Sequence, residues 1–119
     1  MIYDLAVWEG PRPSDDTMAG DVFDALHAAC MGQSIPPTDL IRRFVGDLLE
    51  RWPDLGQNDE EDDDAIPWSA GPLISEASGP LIYFGMVFSK YEEAADFAVE
   101  RARALGLVCF DPQDWRLLT

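Results

Sequence analysis

The spacing of apolar positions is clearest between Ser78 and Gln113. Leu81 to Phe88 is an unbroken apolar run, rich in aromatic and β-branched residues, short enough for a strand and apolar on both faces. Ser89 then stands where a helix N-cap is wanted, and Glu92, three residues on, completes a capping box. Tyr91, Ala94, Ala95, Ala98, Ala102 and Leu105 recur at helical spacing, and Gly106 occupies the place of a C-terminal cap. Leu107 to Phe110 reads as a second apolar strand, closed by Asp111-Pro112. The stretch predicts a β-α-β unit with its two strands parallel.

Upstream, Ile2 to Glu9 alternates as a strand, with Tyr3, Leu5 and Val7 on one face and Ile2, Asp4, Ala6 and Trp8 on the other. Gly10 to Pro13 stops it. Ser14 is the expected N-cap of a helix with Met18, Val22, Ala25, Leu26 and Ala29 as its apolar stripe, and Gly32 ends it. Thr38 caps a second, strongly amphipathic helix through Leu40, Ile41, Phe44, Val45, Leu48 and Leu49, which Pro53 terminates. An acidic loop, residues 54–64, follows. Leu73 to Ala77 reads as a modest strand, and Ser78-Gly79-Pro80 as the hairpin turn into Leu81. Asp114 to Thr119 is a short tail.

The order strand, helix, helix, strand, strand, helix, strand becomes β-α-β-β-α-β when one helix is set aside. The expectation is therefore a single domain over residues 1–119, of class α+β and ferredoxin-like. It would have a four-stranded antiparallel sheet with its helices on one face. Both faces of the two long strands are apolar, however: Leu81, Tyr83 and Val87 point one way and Ile82, Phe84, Met86 and Phe88 the other. The second face needs a cover. The extra helix or the segment around Trp68 would provide one within the chain, and a homodimer built on the sheet would provide one from outside.

Composition changes the picture through charge. The 119 residues carry 23 acids against 8 bases, a formal net charge of −15. Such a surface repels nucleic acid and anionic membranes and suits a basic protein partner. Two cysteines, Cys30 and Cys109, sit in apolar patterns, no leader-like segment opens the chain, and no apolar run is long enough to span a bilayer. The expected setting is cytoplasmic.

Little in the chain reads as catalytic chemistry. The acid run fails as a calcium loop: counted from Asn58, the sixth position is Asp63 rather than glycine and the twelfth is Ser69. His27 and Cys30 are spaced for a metal pair, but further ligands are not evident. No glycine-rich phosphate loop follows a strand, and no nucleophile sits in a glycine-flanked turn. The expectation is no cofactor, no metal and no enzyme activity.

Three segments carry a resemblance: Tyr3 to Glu9 (YDLAVWE), Pro67-Trp68-Ser69, and Gly106 to Gln113 (GLVCFDPQ). They resemble small acidic, mostly uncharacterised bacterial proteins of a kind found among immunity proteins of toxin systems. The resemblance implies a stoichiometric inhibitor that occludes the cleft of a cognate toxin. The contact residues expected on the surface are Asp4, Trp8, Glu9, Asp59, Glu60, Glu61, Asp62, Asp63, Asp64 and Trp68. The rival expectation is a ferredoxin-like regulatory or ligand-binding module that dimerises through its sheet.

Overall fold

A computed structural model describes residues 2–30, 32–54, 66–69 and 71–119. Two seven-residue strands form the centre: β1 (Ile2–Trp8) and β3 (Leu81–Val87) pair antiparallel over their full length, from Ile2 opposite Val87 to Trp8 opposite Leu81. On the far side of β1 lies β4 (Val108–Asp111), and on the far side of β3 lies β2 (Ala77–Ser78). A fifth strand, β5 (Arg116–Leu117), extends the sheet beyond β4. The order is β2-β3-β1-β4-β5 with antiparallel neighbours throughout. Since β3 and β4 both oppose β1, they run in the same direction, as the β-α-β pattern requires.

Among the described residues the sheet thus has five strands, not the four expected. The tail forms β5 because Leu117 and Arg116 pair with Phe110 and Asp111, and a two-residue strand is too short to show a period of two in sequence. Leu73 to Glu76 is a 3₁₀ turn rather than a strand. The buried Asp54 carboxylate accepts from the Leu73 amide at 2.6 Å and so anchors the start of that turn.

Among the described residues, three helices complete the α+β domain: α1 (Asp16–Cys30), α2 (Asp39–Arg51) and α3 (Tyr91–Ala104). They lie on both faces of the sheet, which corrects the one-sided expectation. The side chains of Leu5, Val7, Ile82, Phe84, Met86 and Cys109 pack with α2 and α3 in one core. Ala6, Trp8, Leu81, Val108 and Phe110 pack with Ala19, Phe23 and Cys30 of α1 in the other. The extra helix therefore covers the second apolar face, with the Phe23 ring 5.6 Å from both Tyr83 and Phe110.

The buried stripe of α1 is Ala19, Phe23, Leu26 and Cys30, one position round from the row read in sequence. Met18 and Val22 are exposed, Met18 by 50%. Two apolar rows compete on this helix, and burial takes the one with the large aromatic ring because it removes more apolar area from water.

Two predicted caps differ. Asp15, not Ser14, holds the start of α1, its Oδ1 accepting from the Met18 amide at 2.8 Å. Ser89 lies in the turn before α3, where Lys90 is the N-cap residue and makes no side-chain cap bond. Thr38 caps α2 as expected, Oγ1 accepting from the Ile41 amide.

Candidate functional site

Among the described residues, the feature best suited to a partner is an acidic groove along α3 with an aromatic end. Glu92, Asp96 and Glu100 are exposed and four residues apart, so they form one row on the helix. Tyr3, Tyr91, Ala95, Val99 and Leu118 line the groove beside them. Tyr91 also links three rings in a ladder, its centroid 4.6 Å from Tyr3 and 4.7 Å from Phe88. Phe88 is 46% exposed. Beyond Glu92 the surface continues into a second depression that includes Trp52, Pro67, Phe88 and Glu93.

The floor of the groove is held rigidly. The Tyr3 hydroxyl donates to Asp111 Oδ2 at 2.8 Å, while Asp111 Oδ1 accepts from the amides of Gln113 and Asp114 and from Gln113 Nε2. Burial first, then the hydrogen bond to Asp111 and its charge, push the Tyr3 phenol well above its ordinary value. It therefore remains a neutral donor. Two cations sit on this surface: Lys90 in the second depression and Arg103 at the far end, where Arg103 Nη1 is 3.8 Å from Glu100 Oε2.

The residues expected to touch a partner are scattered by the fold. Trp8 is buried against Phe110 and Phe23 on the α1 side, so it is core and unavailable as a surface anchor. Trp68 is also buried; its Nε1 donates to the Trp52 carbonyl at 2.9 Å, and its backbone bridges to Met86 at the edge of β3. Both expectations of exposure are corrected for the same reason: a large ring beside an apolar sheet face gains more by burial than by waiting for a partner. Glu9 is exposed. Asp59, Glu60, Glu61, Asp62, Asp63 and Asp64 lie outside the described residues.

Asp4 is half-buried on the opposite face from the groove. Its Oδ2 accepts from the Tyr83 hydroxyl at 3.3 Å, and its main chain is clamped by the Gln113 amide group. Desolvation raises its carboxyl above the usual range, with the Tyr83 hydrogen bond opposing the shift. The His27 ring stands edge-on to Tyr83 at 5.5 Å. Gly85, opposite Asp4, has no room for a side chain: a Cβ there would press on Ile2, Ser69 Oγ and Asp4 Oδ1.

No group of three or more His, Cys, Asp or Glu gathers for a metal among the described residues. Cys30 packs in the α1 core and Cys109 in the other, so the sheet separates them. The groove residues escaped the sequence reading because Tyr3, Tyr91 and Leu118 are remote along the chain. The signal that was present is the Glu92, Asp96, Glu100 spacing. Comparison with protein-family models, with curated proteins and with solved structures finds no match. No helix among the described residues is long and apolar enough to cross a membrane.

Proposed function

We propose that the protein is a non-catalytic binding protein of the immunity or inhibitor kind, whose acidic groove along α3 receives a basic segment of a partner protein and thereby occludes it. The observation that carries this reading is the row Glu92, Asp96, Glu100 running beside the Tyr3, Tyr91, Phe88 ladder. Carboxylates at one-turn spacing attract Lys and Arg side chains, and the exposed Phe88 ring adds a cation–π contact. The net charge of −15 steers a basic partner toward this surface from beyond contact range. The strand order with α1 set aside supports a ferredoxin-like framework, with α1 as an added helix on the face that such folds leave open. Because α1 occupies that face, the rival reading of a dimer formed through the sheet loses its motive.

The test compares two variants of equal charge change. Glu92 and Asp96 are each replaced by Lys in one, and the exposed Asp21 and Asp24 on α1 in the other. Tagged proteins are used to capture partners from extract of the native host at low and high salt. The reading expects one basic protein retained by wild type at low salt, weakened at high salt, kept by the α1 variant and lost by the α3 variant. Equal retention by both variants, or none by wild type, would overturn it.

A further inference from the structure

A third depression lies at the C-terminal end of α3, between the segment that leaves β1 and the loop that enters β4. It is about 290 Å³ and is lined by Gly10, Arg12, Arg103, Gly106, Leu107, Val108, Leu118 and Thr119. Its walls are fixed by the main chain. The Leu107 amide donates to the Ala102 carbonyl at 2.8 Å, Thr119 Oγ1 donates to the Leu107 carbonyl at 2.9 Å, and the Leu118 amide donates to the Cys109 carbonyl at 2.8 Å. Gly106, at φ +73°, turns the chain tightly at the rim without a side chain that would close the opening.

The charge of this pocket runs against that of the chain. Only 8 of the 119 residues are basic, yet two arginines line one small depression. Arg51 pairs with Glu93 at 2.6 Å and Arg101 with Asp47 at 2.9 Å, while Arg42, Arg43 and Arg116 make no ion pair among the described residues. Arg12 makes no ion pair among the described residues, and Arg103 has only the loose, solvent-exposed contact with Glu100 at 3.8 Å, which contributes little. Two like charges around one cavity repel; an anion placed between them turns that repulsion into two attractions.

We propose that this pocket binds a small monocarboxylate with a compact apolar body. The carboxylate would lie between Arg12 and Arg103, and the body against the half-buried Leu118 and the main chain of Leu107 and Val108, whose own side chains are buried in the cores. Guanidinium groups match a carboxylate in planar, two-bond geometry. Leu118 beside the two arginines favours a ligand that loses some water on entry over a fully hydrated inorganic dianion. The pocket shares Arg103 and Leu118 with the end of the acidic groove, whereas Arg12 belongs to the pocket alone, so the Arg12 variant separates the two sites.

The test is a two-dimensional amide NMR titration of the full chain with 3-methylbutanoate at about 0.15 M ionic strength, with 3-methylbutanamide and inorganic phosphate as comparison probes. Saturable shifts are expected at the amides of Gly10, Gly106 and Leu107 with the acid. Binding should be weaker by about tenfold or more for the neutral amide, for phosphate, and for the acid in Arg12→Met or Arg103→Met, each of which removes a charge-assisted bond but keeps an apolar stem. The same spectra report that each variant is folded. No saturable shift, equal binding of acid and amide, equal binding of phosphate, or unchanged affinity in both variants would each overturn the proposal.

Discussion

The indole of Trp115 rests on Gly20 of α1, so closely that a Cβ at position 20 would collide with the ring. Trp115 itself is in the left-handed region at φ 56° and 41% exposed, with its ring edge-on to Phe110 at 5.1 Å. Two residues on, the Leu117 amide donates to Asp16 Oδ1 at 2.8 Å. The segment after β4 therefore clasps the helix that closes the second face of the sheet.

From this contact follows a double-mutant cycle. Gly20→Ala alone gains about 1 kcal/mol of helix propensity but meets an overpacking cost of about 1–3 kcal/mol. We expect a net loss of stability in urea unfolding. In a Trp115→Ala background the collision is gone, and the same substitution should stabilise. A gain in the wild-type background would show that the indole does not rest on Gly20.

The orientation of α1 is checked by neighbouring residues. Phe23→Ala should cost about 3–5 kcal/mol, since it empties the centre of the α1 core. Val22→Ala, one position away on the exposed side, should stay within about 0.5 kcal/mol. The reverse ranking would restore the stripe read from sequence.

The Asp4 carboxyl yields a pH prediction. Its folded value lies above the ordinary 3.8, chiefly from desolvation, so the native state holds the proton more tightly than the unfolded chain does. The stabilisation from that proton is complete below the ordinary value and is lost as pH rises through the raised one. Asp4→Asn keeps an oxygen to accept from Tyr83 and carries no charge. It should unfold at higher temperature than wild type at neutral pH, with the difference closing as pH falls below the ordinary aspartate value. A difference that is constant with pH would sink this account.

Thiol chemistry probes the two cores separately. Both cysteines are buried, and desolvation, aided by the Asp111 charge, pushes the Cys109 thiol up to about 12. In the folded protein Cys109 should resist alkylation at neutral pH and react only when the sheet opens. Comparing Cys30→Ala and Cys109→Ala variants by mass spectrometry over time gives the opening of the α1 face and of the α2–α3 face independently. Prompt labelling of Cys109 without denaturant would contradict its place in the core.

Much of the framework was legible along the chain because it rests on local chemistry. The alternation at Tyr3, Leu5 and Val7 and the run at Leu81 to Phe88 assign their faces correctly, since a strand has a period of two wherever it is placed. Thr38 and Pro53 bracket α2, and Gly106 follows α3, through the backbone needs of helix ends. The row Glu92, Asp96, Glu100 was visible as spacing. Its meaning was not, because the rings that complete the groove come from β1 and from the start of α3.

By itself, then, the sequence determined the two long strands with their faces, the three helices and the net charge of −15. Tertiary structure alone decided that α1 covers the second face, that the row with Phe23 turns inward, and that Trp8 and Trp68 are core. It also decided that Arg12 and Arg103 share a pocket. These outcomes depend on competition between surfaces brought together from distant parts of the chain. Burial goes to whichever face loses most apolar area to the sheet, a quantity that no local pattern contains.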